Sequence, residues 1–258
     1  MDVDSVIQAF KASPQASAFV LDFDGTLSLI VEEPSLAKPI PQATETLTAL
    51  GDAYGMVALV SGRTAKDLHR MLGAIQTVRY LGVYGAEEMI KDQVAQPAEA
   101  DHWRGMASRL ARDAQALIVS EGLAGCHVEY KDIAVSIHYR QAASGDAPEA
   151  IMAWASQAAA KKGFTAGFGR KVVEMRPSAV SKARALERLL TALPISNLLI
   201  AGDDAADAEA MSHARSLGLE ICFTVGVGSR EAPEELEGAA DVLVDSPSEL
   251  LTMLQRFL

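Results

Sequence analysis

Residues 19–27 read Phe19-Val20-Leu21-Asp22-Phe23-Asp24-Gly25-Thr26-Leu27. Two carboxylates stand two residues apart at the exit of an apolar run. Residues i and i+2 of a strand project from one face, so Asp22 and Asp24 are expected to point together while Phe23 turns away to pack. Gly25 and Thr26 suit a sharp departure from the strand into a loop.

Carboxylates this close repel one another unless a cation lies between them or one keeps its proton. A hard cation such as Mg²⁺ binds through one or two carboxylates plus substrate phosphate oxygens. A carboxylate free of that task can act as nucleophile or general acid. Taken alone, the pair is equally readable as a solvated strand end.

The pair is followed by three further signals. Ser61-Gly62-Arg63 ends the strand-like run Met56 to Val60, Lys182 opens a helix-like segment, and Gly202-Asp203-Asp204 with Asp207 follow the strand-like Asn197 to Ala201. Together with Asp22 to Thr26, these resemble in order the four signatures of the haloacid dehalogenase superfamily of phosphotransferases. The resemblance spans most of the chain.

Composition agrees with a compact enzyme. The 258 residues are 49% hydrophobic, enough for a sizeable core. The formal charge of -11, from 34 acidic against 23 basic residues, argues against nucleic acid as a partner, which requires Lys and Arg clusters. Cys126 and Cys222 sit far apart in apolar segments and read as reduced core thiols. The N-terminus is too acidic and too short in apolar run for a signal peptide, and no segment approaches the roughly 18 apolar residues of a membrane span. A cytoplasmic monomer is expected.

Strands alternating with helices predict a Rossmann-like three-layer α/β core with a parallel sheet. Strand-like runs lie at 18–22, 56–61, 198–202, 220–225 and 241–244. Leu186, Leu189, Leu190 and Leu193 repeat with helical spacing. Ser246-Pro247-Ser248-Glu249 caps a last helix, and Thr64 with Asp67 starts another directly after Ser61. A phosphate held at Ser61 would then feel a helix N-terminus. Gly226-x-Gly228 reads as a turn, and residues 167–171 lack P-loop spacing.

Between 88 and 176 the pattern changes to helix, two strands, helix, two strands. The helices are 103–119 and 148–162. The strand pairs are 126–130 with 134–139 and 164–168 with 171–175, turning at Lys131-Asp132 and Gly169-Arg170. This resembles the smaller α/β cap of the superfamily's sugar-phosphate branch, inserted between the second and third motifs. The expected division is a catalytic core at 1–87 and 177–258 and a cap at 88–176, which would close over the carboxylates.

The resemblance implies roles. Asp22 is the nucleophile that forms an aspartyl-phosphate, and Asp24 protonates the leaving oxygen and then deprotonates water. Ser61 and Lys182 hold phosphate oxygens, and Mg²⁺ is held by Asp22, the Asp24 carbonyl and Asp203, with Asp204 or Asp207 ligating directly or through water. Within the superfamily the sequence is most similar to trehalose-6-phosphate phosphatases, through Ser61-Gly62-Arg63, Gly85-Ala86-Glu87, residues 136–140 and Val173-Glu174-Met175-Arg176-Pro177. That likeness points to Gly62, Arg63, Glu87, Lys131, His138, Arg140, Glu174 and Arg176 as substrate contacts. For His138 and Arg140, an alternating solvated strand face is an equally simple reading.

The chain departs from that branch at two places. Where the branch reads GDDxTDE, residues 202–208 read Gly-Asp-Asp-Ala-Ala-Asp-Ala, and the usual His before Gly-x-Glu is Tyr84. The expected activity is Mg²⁺-dependent hydrolysis of a sugar phosphate, trehalose 6-phosphate first. Sucrose 6-phosphate, glucosyl- or mannosyl-phosphoglycerate or a cyclitol phosphate remain alternatives. So do a phosphosugar mutase and a non-catalytic sugar-phosphate sensor.

Overall fold

The computed structural model describes residues 1–90, 92–143, 147–169, 171–228 and 233–258. Its strands are β1 (Ser17–Leu21), β2 (Met56–Val60), β3 (Val78–Gly82), β4 (Glu87–Ile90), β5 (Gln93–Ala95), β6 (His127–Lys131), β7 (Ala134–His138), β8 (Phe164–Gly169), β9 (Val172–Pro177), β10 (Asn197–Gly202), β11 (Ile221–Val227) and β12 (Val242–Val244). Its helices are α1 (Val3–Ala12), α2 (Ala43–Ala53), α3 (Ala65–Leu72), α4 (Ala100–Ser120), α5 (Ala147–Ala160), α6 (Lys182–Thr191), α7 (Ala205–Ala214), α8 (Glu234–Ala239) and α9 (Pro247–Gln255). The chain divides into two compact units, Met1–Ala95 with Ser181–Leu258, and Gln96–Val180.

The larger unit is built on one sheet of order β12-β11-β10-β1-β2-β3-β4-β5. The first six strands of that order are parallel, and β4 and β5 add an antiparallel edge hairpin. Apolar residues on both faces of β1 explain its central place, since all five of its positions are buried. Phe19 and Leu21 pack with Val6, Phe10, Leu47 and Leu254 on one face. Ala18 and Val20 pack with Leu186, Leu189 and Met211 of α6 and α7 on the other. The alternation gives three layers.

The smaller unit carries a four-stranded antiparallel sheet of order β6-β7-β9-β8. Val135, Ile137, Val173 and Met175 pack against Leu110, Ala114, Ile151 and Ala155 of α4 and α5. Their strand neighbours Glu129, Lys131, Ser136, His138 and Glu174 occupy the alternate, polar face.

The division between units falls at 95/96 and 180/181, later than the sequence-based 87/88 and 176/177. Residues 87–95 stay with the large sheet because β4 pairs with β3 through Leu81↔Glu88 and Gly82↔Glu87. Gly226 is a second correction. It lies inside β11 rather than in a turn, where a side chain would crowd Leu243 at 2.6 Å and Leu236 at 3.1 Å, so any larger residue makes these leucines shift. The first smaller-unit turn falls at Asp132-Ile133, with Asp132 at φ 60°. Arg170 of the other expected turn lies outside the described residues. Cys126 and Cys222 are unpaired but half-buried rather than core, and burial pushes the Cys222 thiol up to about 11. Among the described residues, no helix is long and apolar enough to cross a membrane.

Candidate active site

The carboxyl ends of β1, β2 and β10 meet where the strand order reverses about β1, the place where open parallel sheets leave a crevice for ligands. Asp22 follows β1, Ser61 follows β2 and Asp203 follows β10. The Asp22 N–H still donates to the Ala201 carbonyl at 3.0 Å, so Asp22 keeps the pleat of β1. That pleat sends its side chain to the face shared by Ala18 and Val20, the α6 face. There Lys182 Nζ lies 3.1 Å from Asp22 Oδ1.

Lys182 is buried at the start of α6, whose N-cap Ser181 accepts from the Arg184 N–H. Its ammonium donates to Asp207 Oδ1 at 2.8 Å and lies 3.7 Å from Asp204 Oδ1. Burial opposes its charge, but Asp204, Asp207 and Asp22 outweigh burial and hold its pKa well above the ordinary lysine value.

Asp204 and Asp207 close the first turn of α7 as a capping box. The Asp207 N–H donates to Asp204 Oδ1 at 2.8 Å, and Asp207 Oδ2 accepts from the N–H groups of Asp203 and Asp204 at 3.1 and 3.2 Å. The residue types of this cluster suggest ligands; in the structure Asp204 and Asp207 cap a helix.

Carboxylate oxygens of Asp22, Asp203 and Asp207 lie within 4.8 Å of one another, and all three residues are buried. Burial is the main reason the Asp22 carboxyl is pushed up to about 7. Lys182 opposes that rise, and the charges of Asp204, Asp203 and Asp24 add to it. Burial and Asp204 likewise push Asp207 well above the carboxylate range, against Lys182. Asp22 and Asp207 flank the Lys182 ammonium with Asp203 beside them, and without a cation the raised Asp22 and Asp207 carboxyls relieve the crowding by keeping protons; a hard cation would instead favour the charged forms. Gly25, at φ 75°, makes the close approach possible, because a side chain there would overlap the Asp203 carboxylate.

Asp24 stands apart from this cluster. Strand β1 stops at Leu21, so the pleat no longer sets the direction of Asp24, and Arg63 does so instead. Its Nε and Nη2 donate to Asp24 Oδ2 and Oδ1 at 2.6 and 2.7 Å. Asp24 in turn outweighs the effect of burial on Arg63 and raises its pKa. The spacing of Asp22 and Asp24 indicated a shared strand face; the pairing of Asp24 with Arg63 was not visible in it.

Ser61 is buried, and its Oγ accepts from the Arg63 N–H at 3.3 Å. Thr64 caps α3 by accepting from the Asp67 N–H at 3.1 Å, as its sequence signature indicated. Glu87 Oε2 accepts from the Ala65 N–H at 2.9 Å in that same first turn, so this carboxylate supports the α3 start. A side chain at Gly62 would crowd the Tyr84 phenol, 3.1 Å from its oxygen.

In the smaller unit, Lys131 Nζ donates to Glu174 Oε1 at 2.7 Å, and Ser136 Oγ donates to the same oxygen at 3.0 Å. His138 Nε2 lies 2.9 Å from Glu129 Oε2, and its ring stacks on His127 with centroids 4.6 Å apart. His127 and Glu129 were missed in the sequence, although their alternation with Lys131 carried the signal. Arg140 lies beyond the end of β7 and does not share a strand face with His138. Arg176 is buried, and its Nε donates to the Val180 carbonyl at 2.8 Å.

The fold resembles solved structures. The trehalose-6-phosphate phosphatase C-terminal domain of C. albicans superposes with a TM-score of 0.81 at 21% identity, covering all of this chain and 97% of that one. A haloacid dehalogenase-like hydrolase from Bacteroides thetaiotaomicron matches with a TM-score of 0.61 at 16% identity, over 94% of this chain and 99% of that one. These likenesses define the class of fold as haloacid dehalogenase-like. The trehalose-phosphatase family model matches residues 20–237, and the chain belongs to that family. A trehalose-phosphate phosphatase of Mycobacterium avium is 32% identical over 77% of this chain and 51% of its own length. An uncharacterized glycosyl hydrolase of Mycobacterium tuberculosis is 36% identical over 79% of this chain but 16% of its own length. The chain thus spans about half or less of these two relatives.

Proposed function

We propose that this chain is a Mg²⁺-dependent sugar-phosphate phosphatase, with trehalose 6-phosphate as the first substrate to test. One observation carries the reading: buried carboxylates of Asp22 after β1, Asp203 after β10 and Asp207 in the first turn of α7 lie within 4.8 Å of one another, with Lys182 paired to Asp22 and Asp207. Phosphoryl transfer requires an in-line nucleophile, charge neutralisation on phosphate oxygens and a proton for the leaving alkoxide.

Asp22 supplies the nucleophile. Its carboxylate attacks phosphorus, the bond to the sugar oxygen breaks, and an aspartyl-phosphate results. Asp24 gives the sugar oxygen its proton, then takes one from the water that hydrolyses the acyl phosphate. Arg63 orients Asp24 and holds it as the carboxylate that takes the proton from water; for the first transfer one of its two oxygens must exchange an Arg63 hydrogen bond for a proton. Lys182 and the Ser61 hydroxyl hold phosphate oxygens. Asp22, Asp203 and Asp207 would hold the Mg²⁺, which when bound neutralises phosphate charge. Of the remaining candidates, Gly62 keeps the loop beside Ser61 compact. The polar face bearing Lys131, His138 and Glu174 offers charged and hydroxyl partners of the kind that bind sugar hydroxyls.

The test is Mg²⁺-dependent phosphate release from trehalose 6-phosphate, sucrose 6-phosphate, glucose 6-phosphate, mannose 6-phosphate and glucosyl-phosphoglycerate. Preference for the first supports the reading in full. Release from another member alone keeps the chemistry and changes the sugar. No release from any member overturns the reading in favour of a mutase or a sensor.

A further inference from the structure

The loop after β3 is strained. Val83, Tyr84 and Gly85 stand in succession at φ 47°, 57° and 89°. Glycine enters this region freely, but a β-branched valine does so only under constraint. Such strain persists where surrounding contacts over-determine it, and it clusters at functional sites.

Both flanks of the turn are tied to groups of the site. On one flank, the Val83 N–H donates to the Arg63 carbonyl at 2.7 Å and the Tyr84 N–H to the Ser61 carbonyl at 2.8 Å. On the other, Arg188 of α6 donates to the Gly85 carbonyl at 2.6 Å. A side chain at Gly85 would overlap Ala185, one turn along α6 from Lys182. The turn therefore sits between the Ser61-Gly62-Arg63 loop and the helix that carries Lys182. Tyr84 is its wedge: a Cβ at Gly62 would lie 3.1 Å from the phenol oxygen and 3.2 and 3.3 Å from Cζ and Cε2. Tyr84 as a whole is 8% exposed, so its ring has little room to withdraw.

We infer that Tyr84 is a positioning residue, whose ring, held by the strained turn, fixes the Ser61-Gly62-Arg63 loop against α6 so that Ser61 and Lys182 converge on one phosphate. The assignment rests on the phosphatase reading, and the choice of ligand keeps the two separable. Mobile donors must be ordered on binding, whereas preset donors need not be, so the ring acts on phosphate affinity before it acts on chemistry.

The experiment measures the Kd of inorganic phosphate in the presence of Mg²⁺ by calorimetry. It compares wild type, Tyr84→Ala, Tyr84→Phe, Gly62→Ala and the Gly62→Ala/Tyr84→Ala double variant, and records thermal midpoints and, where turnover exists, KM and kcat. Tyr84→Ala is expected to weaken phosphate about tenfold and to raise KM more than it lowers kcat, with Tyr84→Phe restoring affinity to within about threefold. Gly62→Ala should weaken phosphate about tenfold with Tyr84 present and less than threefold once the ring is gone, the non-additivity expected of residues that share one packed space. Phosphate affinity unchanged in Tyr84→Ala while the thermal midpoint falls would overturn the inference and leave the ring as packing. Additive effects of the two substitutions would overturn it as well. If wild type binds phosphate but hydrolyses no sugar phosphate, the phosphatase reading fails and the affinities still decide the role of Tyr84. If wild type binds no phosphate, both fail.

Discussion

Arg63 grips Asp24 by two parallel hydrogen bonds, Nε to Oδ2 at 2.6 Å and Nη2 to Oδ1 at 2.7 Å. The pair bridges two segments that the sequence separates by a helix and a strand. A planar fork of this kind fixes the plane of the carboxylate as well as its position.

Arg63→Lys keeps the charge and removes the fork. Turnover of a sugar phosphate, whose alkoxide must be protonated, should fall about tenfold or more, while p-nitrophenyl phosphate, with its stable leaving group, loses much less. The check is the ratio of the two kcat/KM values in variant and wild type. An equal loss on both substrates would assign Arg63 to phosphate binding instead of Asp24.

Asp22→Asn should lower turnover by at least about a thousandfold, because binding alone does not replace a nucleophile. It should not lower thermal stability in chelator, since burial already disfavours a charged Asp22 and asparagine resembles its neutral form. Residual turnover above a few per cent of wild type would show that another group attacks.

Lys182→Met removes the ammonium from Asp22 and Asp207, at 3.1 and 2.8 Å, and leaves buried carboxylates uncompensated. Breaking one partner of a buried ion cluster destabilises by about 3–5 kcal/mol. Urea unfolding in chelator should show this loss, and added Mg²⁺ should recover part of it. A loss below about 1 kcal/mol would mean that solvent or proton uptake compensates the carboxylates.

Gly25→Ala places a methyl group in the space of the Asp203 carboxylate and forces φ 75° on a residue with a Cβ. The Mg²⁺ concentration for half-maximal activity should rise about tenfold, as expected when a ligand is displaced. Unchanged Mg²⁺ dependence would remove Asp203 from the ligand set.

Glu129 supplies a pH-dependent contact in the smaller unit. Burial pushes its carboxyl up, but the hydrogen bond with His138 and the charge of Lys131 prevail and hold it at about 2. A carboxyl lowered in the folded state stabilises above its unfolded value of about 4.5, and the contribution fades as pH falls toward 2. The urea midpoint of wild type should therefore exceed that of Glu129→Gln at neutral pH, and the gap should close between about pH 4.5 and 2. A gap that is constant with pH would mean that Glu129 acts by packing.

Legibility in the sequence followed the range of the interaction. The strand ending before Asp22, the Thr64 cap and the α6 repeat of Leu186, Leu189 and Leu190 are local periodicities that neighbouring residues impose, and each was visible. Strands β3, β4 and β5 were not. Val78–Gly82 holds an arginine within a short run, and Glu87–Ile90 with Gln93–Ala95 carry polar residues that suit a sheet edge as well as a loop. Their state was decided by pairing with β2 and with one another. Gly226 misled for a related reason: glycine marks turns and close packing alike, and only Leu243 and Leu236 beside it distinguish the two.

The sequence by itself determined the chemistry available to this protein: carboxylates at strand exits, a lysine opening a helix, a serine after β2 and a two-part α/β chain. Residue type and short-range periodicity suffice for these, because a strand or helix sets the direction of its own side chains. Tertiary structure alone decided which charges meet. Lys182 lies between Asp22 and Asp207, Arg63 takes Asp24, Glu87 supports α3, and Tyr84, held in a strained turn, fills the space that a Cβ at Gly62 would enter. Such meetings depend on strand order and on the depth to which each group is buried. Both are properties of the packed sheet, and no local stretch of the chain contains them.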